Sequence, residues 1–308
     1  MRYLLRAWTV QDAGTDREIS RSNYPEYRED PAHPAWFPAP QLGAPRAWSS
    51  RYIVEHDTGN AAAYATLWEV RSGRYRFDLA VRPAYQRQGV GTDLLTRVVS
   101  DAKGLGATGL QARVRDDKRE ALEFIGRRGF HEVHRMGAYR LDFADLERAV
   151  VEPAFARLQQ RAIGVTNLAA ARADDSEYLH RFVELYSATR EGWPDPDPAP
   201  SPTPISIDEL KSWLDNCRLP EAFFIATYKQ RYIAFTSFFG IGTAVHPEFR
   251  HHGIATLLKA GSIADAQGRG FRGQTTSTAS CGMQRLLERL GYRRLWSEVR
   301  LIRAMESL

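Results

Sequence analysis

Cysteine is scarce: Cys217 and Cys281 are the only two in 308 residues. That excludes a disulfide framework, and no second Cys or His stands at zinc-finger spacing from either. No metal is expected; His251 and His252 adjoin each other but have no further ligand at useful spacing. No apolar stretch is long enough to cross a bilayer. The opening Met1-Arg2-Tyr3-Leu4-Leu5-Arg6-Ala7-Trp8 has no secretory h-region, because charge returns within a few residues. A cytoplasmic, reducing setting is the expectation. Also missing are a Lys/Arg run with interleaved aromatics and any RNA-module signature, so neither nucleic acid nor membrane is expected as a partner. The net charge of +5 reads as general surface charge, or as attraction for an acidic cofactor. With 43% hydrophobic and 26% charged residues the composition is that of a globular protein, long enough for two domains.

A short sequence occurs twice. Gln86-Arg87-Gln88-Gly89-Val90-Gly91-Thr92 and Arg250-His251-His252-Gly253-Ile254-Ala255-Thr256 lie 164 positions apart. Each follows a Val-x-Pro, Val81-Arg82-Pro83 and Val245-His246-Pro247, and each precedes by about forty residues a Gly-aromatic pair, Gly129-Phe130 and Gly291-Tyr292. A repeat this long means two copies of one fold in tandem rather than a short-period solenoid.

The order of elements repeats too. In the first half, Tyr3–Ala7, a hairpin of Tyr52–His56 and Ala61–Val70, a strand carrying Phe77, Leu79 and Val81, and Gln111–Val114 read as strands. Leu94, Leu95, Val98, Val99 and Ala102 share one helical face. Arg119–Arg128 is a second helix closed by Gly129, and His131–His134 and Tyr139–Phe143 finish the half as two strands. The segment 144–161 is expected as a connector helix, giving domains at 1–143 and 162–308. In the second half Val165–Ala169 is a strand, Tyr178–Thr189 a helix, Phe223–Thr227 with Tyr232–Phe239 a hairpin. A helix begins at Thr256, and another carries Met283, Leu286, Leu287 and Leu290. Both halves hold a proline-rich loop: Pro31, Pro34, Pro38, Pro40 and Pro45, then Pro194 to Pro204 at alternate positions. The sum is a mixed α/β domain, twice.

The glycine loop joins a strand to a helix. Its amides and those of the first turn lack intrahelical partners, and the peptide dipoles add about half a positive charge there. Such a site holds phosphate without a lysine. Gly89 and Gly253 let the backbone approach the oxygens, Thr92 and Thr256 can add a hydroxyl, and Arg87 and Arg250 add charge. One helix-opening Gly-x-Gly is as readily a tight turn; two in the same setting favour the anion site. The loop has neither the Gly-Lys-Ser/Thr ending of nucleotide triphosphatases nor the Gly-x-Gly-x-x-Gly of a dinucleotide fold.

At these residues the chain resembles the GNAT acetyltransferase superfamily, over roughly 1–143 and 162–308. Val-x-Pro followed by Gln/Arg-x-x-Gly-x-Gly/Ala is similar to that family's acetyl-CoA loop, and the Gly-Phe and Gly-Tyr ends match its mark after the last helix. The stretch 243–259 resembles bacterial tandem GNAT proteins in particular. The resemblance implies two GNAT-like domains, each a mixed, mostly antiparallel twisted sheet flanked by helices. It implies loop amides on the CoA pyrophosphate and a splayed gap beside Val81 and Val245 for pantetheine. The implied reaction is acetyl transfer from acetyl-CoA to a small-molecule or peptide amine, by a monomer or homodimer, with 86–92 and 250–256 binding the cofactor.

The residues depart from the family in two respects. Its thiolate-protonating tyrosine would fall at Ile125 and Leu287, which have no proton to give. Its asparagines would fall at Lys118, Thr276 and Ser280. The remaining catalytic candidates are Asp78, on the strand before the first loop, and Tyr139 and Glu298, near the closing strands; each also reads as a structural residue. Cys281 stands where a helix start lowers a thiol pKa, or is an inert small residue. Two further readings stay open: a non-catalytic CoA-binding or regulatory protein, and an RNA-associated acetyltransferase suggested only by basicity.

Overall fold

The computed structural model describes residues 3–24, 49–147, 149, 162–190, 206–217, 219–238 and 242–305. Both proline-rich loops, and most of the expected connector helix, lie outside the described residues; Phe143–Asp145 at its start is a single 3-10 turn. In chain order the elements are β1 (Tyr3–Ala7), α1 (Thr15–Asn23), β2 (Ser50–His56), β3 (Ala61–Arg71), β4 (Arg74–Val81), α2 (Val90–Gly104), β5 (Gly109–Arg115), α3 (Arg119–Gly126), β6 (His131–Asp142), β7 (Gly164–Asn167), α4 (Leu168–Asp174), α5 (Tyr178–Arg190), α6 (Ile207–Asp215), β8 (Phe224–Tyr228), β9 (Arg231–Thr236), β10 (Thr243–Val245), α7 (Ile254–Gly268), β11 (Gly273–Thr278), α8 (Cys281–Arg289) and β12 (Arg293–Ala304). No helix among the described residues is long and apolar enough to cross a membrane.

The chain forms two compact units, 1–135 with 297–308, and 136–296. The sequence expectation of consecutive domains at 1–143 and 162–308 differs from this at both ends, because strand pairing rather than chain order sets the units. In the first unit β5 pairs antiparallel with β12, Glu298 opposite Arg115 and Ala304 opposite Gly109. In the second, the latter part of β6 pairs with β11, Gly137 opposite Thr278 and Asp142 opposite Gly273.

The first unit holds β1, β2, β3 and β4 in antiparallel succession. One face of this sheet is apolar. Ala63, Ala65, Leu67, Phe77, Leu110, Ala112, Val299 and Leu301 pack there with Leu94, Leu95, Val98 and Ala102 of α2 and Ile125 of α3. The helical face expected for α2 is therefore the one buried. The second unit has a four-stranded sheet in the order β10-β9-β8-β7. Phe182 of α5 packs among Phe223, Ile225 and Phe235, while Ile263 of α7 and Leu287 of α8 pack with Tyr139 and Leu141.

Several expected boundaries shift for local reasons. The strand expected over Val165–Ala169 ends at Asn167, whose Oδ1 accepts from the Ala170 amide at 2.9 Å and starts α4. Helix α7 begins at Ile254 rather than Thr256, because Gly253 takes φ +82° and caps it. The two strands expected at 131–134 and 139–143 are one strand, β6. Gly137 allows this continuity: a Cβ there would stand 2.8 Å from the Tyr139 ring. Helix α6 went unrecognised although Ser206 and Glu209 form a capping box, with Glu209 N donating to Ser206 Oγ at 3.1 Å and Ser206 N donating to Glu209 Oε2 at 2.9 Å.

The Gly-aromatic marks close their helices in left-handed backbone, φ +81° at Gly129 and +95° at Gly291. The surroundings differ. A Cβ at Gly129 would have Arg303 Cδ at 3.9 Å as its nearest neighbour, whereas one at Gly291 would stand 2.3 Å from the carbonyl oxygen of Asp145. Gly129→Ala should cost about 1 kcal/mol from backbone conformation alone. Gly291→Ala should cost at least about 2 kcal/mol, since overpacking adds to it. Denaturant melts of the two variants check the order.

Lys259 is 2% exposed on α7, at the position Leu95 holds on α2. Burial pushes its ammonium down to about 8 from an ordinary 10.5, a difference equivalent to about 3 kcal/mol against the charged form. The unfolded chain binds more protons at this residue between those two values, so stability rises with pH across that window and the penalty is fully present below it. Lys259→Leu should raise stability at pH 7 by up to about 3 kcal/mol, and the gain should shrink from pH 8 towards pH 10.5. Chemical denaturation across that range measures it.

Candidate cofactor and acceptor site

The strands β4 and β5 run parallel and pair only from Arg74–Arg76 against Gly109–Gln111. Beyond that point β4 continues to Val81 and β5 to Arg115 without pairing to each other. The splayed gap expected beside Val81 is thus a fork with Arg76 and Gln111 at its apex. In the second unit β10 is the edge of its sheet, while β11 pairs with β6.

Both loops are built alike. After the valine, Pro83–Tyr85 and Pro247–Phe249 each make one 3-10 turn. The next side chain reaches back to the valine carbonyl: Gln86 Nε2 donates to Val81 O at 3.0 Å, and Arg250 Nε donates to Val245 O at 3.2 Å. Arg87 and His251 then take the left-handed region, φ +63° and +65°, unusual for residues with a Cβ. Gly89 and Gly253 follow at φ +88° and +82° as helix caps. Val90 and Ile254 point into the cores, leaving their amides at the helix start.

Around Gly89 the space is open: a Cβ would meet nothing within 4 Å. The amides of Gly89, Val90 and Gly91 donate to no backbone carbonyl among the described residues. A pyrophosphate fits such a place, at exposed amides of a helix start with room beside the glycine. Gln88 is held away from it, accepting from Tyr3 Oη and donating to Ala84 O at 3.1 Å. The Thr92 hydroxyl accepts from Arg128 Nη2 at 2.8 Å, and the Arg128 guanidinium lies 3.7 Å from the Phe124 ring centre. Arg128 therefore joins Arg87 as a cation at the loop. Sequence reading passed over it because it sits 36 residues beyond Thr92 and only the packing of α3 brings it near. The second loop is more enclosed, with His252 and Gly253 half-buried and Thr256 buried.

Asn23, at the end of α1, bonds to the segments that follow both arms of the fork. Its Oδ1 accepts from Gln86 Nε2 at 2.9 Å, and its carbonyl accepts from Lys118 Nζ at 3.1 Å. Lys118 also lies 4.9 Å over the Tyr24 ring, so the residue standing where the family's asparagine was sought fastens α1 to the start of α3. Nothing in the sequence marked Asn23.

The catalytic candidates fall apart in space. Asp78 is on β4 just past the apex, opposite Thr66. Glu298 pairs into the first unit, where its carboxylate meets Arg113 at 3.5 Å and Arg300 at 3.2 Å. Tyr139 is 2% exposed in the core of the second unit, opposite Thr276, and burial raises its phenol above the ordinary value. Ile125 and Leu287 are buried in separate cores. Ser280 caps α8, accepting from Met283 N at 3.4 Å, and Cys281 is exposed beside it. Among the described residues no three His, Cys, Asp or Glu gather to hold a metal.

The model of the acetyltransferase (GNAT) family matches the chain twice, over residues 17–130 and 180–292. The chain belongs to the GNAT family. A GCN5-related N-acetyltransferase from Sphaerobacter thermophilus has a similar structure, with TM-score 0.73, 16% identity, and coverage of 98% of this chain and 95% of that one. A tandem GNAT protein from the clavulanic acid biosynthesis pathway is similar at TM-score 0.65 and 17% identity, covering 98% of each chain. A glucosamine N-acetyltransferase region of a fungal multi-domain β-N-acetylglucosaminidase gives TM-score 0.68 and 15% identity, over 97% of this chain and 38% of that one. These identities show a shared fold alone. No curated protein matches the chain. The GNAT family generally uses acetyl-CoA, and both tandem copies have the loop geometry described above.

Acetyl-CoA at 100 times its dissociation constant should stabilise the binding unit by about 2.7 kcal/mol, visible as a rise in melting temperature. Gly89→Asp should abolish binding at the first loop through charge, bulk and backbone conformation; Gly253→Asp should do so at the second. The more open first loop is expected to bind at least as tightly, so Gly89→Asp should remove the larger share. Gly91→Ala is expected to be tolerated, as Ala255 is in the second loop: its Cβ would lie 3.6 Å from Phe124 and from Val81, ordinary contacts. Calorimetric stoichiometry on the three variants checks this.

Proposed function

We propose that this GNAT protein transfers acetyl from acetyl-CoA to an amine by direct attack on the thioester, with the first unit as the working site. The observation that carries the reading is the coincidence, in one unit, of an exposed anion loop and a fork in the sheet leading from it. Residues 86–92 would hold the pyrophosphate, Arg87 and Arg128 adding charge. The unpaired edges of β4 and β5 beyond Arg76 offer backbone groups to an extended chain such as pantetheine. When bound, the thioester supplies the acetyl group and the thiolate leaving group.

What remains for this chain's residues is proton handling. An alkylamine with pKa about 10.4 is neutral in roughly 1 molecule of 2,500 at pH 7, a cost of about 4.6 kcal/mol. Asp78 is assigned the removal of that proton, directly or through water, since it stands past the apex on the arm of the fork that leads to the loop. Glu298 is a poorer candidate, because its carboxylate is already engaged by Arg113 and Arg300. Tyr139 keeps its proton and is the candidate acid of the second unit. In the first unit Ile125 is aliphatic and buried, so the thiolate, with a thiol pKa about 8.5, must leave without help from that position.

A second reading, a CoA-binding protein without chemistry, is favoured by those buried aliphatic residues where the family's acid belongs. Amine-dependent release of CoA separates the two. Under the first reading, rate rises with pH until the acceptor is neutral or its base is ionised, and Asp78→Asn lowers kcat by at least tenfold. A profile falling steeply above pH 7 would reveal an essential acid other than Tyr139, whose phenol keeps its proton there. No release with any amine, despite acetyl-CoA binding, would leave the non-catalytic reading standing.

A further inference from the structure

We infer that the acceptor used by the first unit carries an anionic group, a carboxylate or a phosphate, that docks against Arg76 at the apex of the fork. The inference rests on the transferase reading and narrows it, from amines at large to amines that are also anions.

Strand register places the residues. Arg76 and Asp78 on β4 share a face with Trp68 and Thr66 on β3 and with Gln111 on β5. Arg113 and Arg115 continue that face along β5, opposite Arg300 and Glu298 on β12. It is the face away from α2, whose helix packs on Phe77, Leu110 and Ala112. One side of the sheet is therefore an apolar core and the other, at the fork, is a group of guanidiniums.

Arg76 is the unusual member. It is 3% exposed, and its Nη2 donates to Gln111 Oε1 at 3.2 Å. Its Nε and Nη1 are buried with no hydrogen-bond partner among the described residues. Arginine cannot shed its charge in a protein, and a buried guanidinium with open N–H groups is costly to keep. Among the described residues the carboxylates do not balance the group: Glu298 is shared between Arg113 and Arg300, and Arg115 is matched by Asp117 at 2.5 Å. Of the described residues on this face, Arg76, Arg113 and Arg300 thus meet Asp78 and Glu298 with one positive charge in excess. A bound anion supplies the missing charge and the missing acceptors together.

The cofactor loop cannot be the source of that anion. Arg76 precedes Val81 by five residues, roughly 17 Å along a strand, so its guanidinium is remote from phosphates seated at Gly89. The anion placed beside the apex is therefore the acceptor's. The Tyr24 ring, 5.0 Å from the Arg115 guanidinium, borders it from α1.

Matched pairs of amines test this without knowledge of the natural acceptor. The probes are the twenty amino acids, each beside its C-terminal amide, and phosphoethanolamine beside ethanolamine. Each pair is measured on the full chain twice, as acceptor in CoA release and as ligand by calorimetry with CoA present. At least one anionic member should exceed its neutral partner tenfold or more in both kcat/KM and affinity; which pairs respond tells carboxylate from phosphate. Arg76→Met should bring that ratio close to one, chiefly through KM, and Arg76→Lys should keep part of it, while acetyl-CoA affinity stays as in the wild type. Equal use of anionic and neutral members, no binding of any anionic probe, or a preference that survives Arg76→Met overturns the inference. The wild-type pairs decide even if Arg76→Met does not fold. If acetyl-CoA is neither bound nor consumed, it is the transferase reading that falls, and calorimetry on the pairs still decides whether the anion site exists.

Discussion

The parting of β4 from β5 after Arg76 and Gln111 is the constraint on which the first unit's chemistry depends. Two neighbouring parallel strands that stop pairing leave backbone groups open on both arms, and buried backbone polar groups need partners. The unit meets this in two ways. On the loop side Gln86 donates to the Val81 carbonyl. Across the open end, Asn23 accepts from Gln86, beyond one arm, and from Lys118, beyond the other. The remaining edges are where an extended ligand can add itself as if it were a strand. The apolar face keeps the fork from collapsing, since Phe77 and Ala112 on its two arms are both fixed in the core under α2 and α3.

The two loops show which features the backbone demands. Arg87 and His251 differ in size and shape, yet both adopt φ near +64°. Gln86 and Arg250 differ in charge, yet both brace the preceding valine carbonyl. What recurs is the path that presents amides at a helix start, and that path tolerates different side chains wherever only their backbone is used. Away from the path the copies diverge. Lys259 takes the place of Leu95 in a buried helix face, and the second loop is half enclosed where the first is open. Two copies of one fold have the same backbone route through the loop but different surroundings along it.

Much of the element order was legible because periodicity and turn residues report local preference. Leu94, Leu95, Val98 and Ala102 fall on one face in sequence and are buried in the structure. Misreadings arose where a side chain decided the outcome. Asn167 ended a strand by capping α4, and Gly137 let two apparent strands run on as one by giving the Tyr139 ring room. The two glycine loops were legible because their shape is set by their own backbone. Arg128, Asn23 and Arg76 were not, since each matters through a partner that lies 35 to 95 residues away.

The sequence by itself determined that there are two copies of a strand-loop-helix glycine turn in a mixed α/β fold, because glycine positions and hydrophobic period act over a few residues. It also determined that neither copy carries a tyrosine at the usual place, since that is a matter of residue identity. Tertiary structure decided the rest. It assigned 297–308 to the first unit through pairing with β5, which moved Glu298 from the second repeat onto the polar face of the first. It also brought Arg76 to the apex of the fork beside Gln111 and buried it there. The physical reason is that charge balance and strand register are properties of neighbours in space, and a chain that repeats its local signals in order is free to pair its strands out of order.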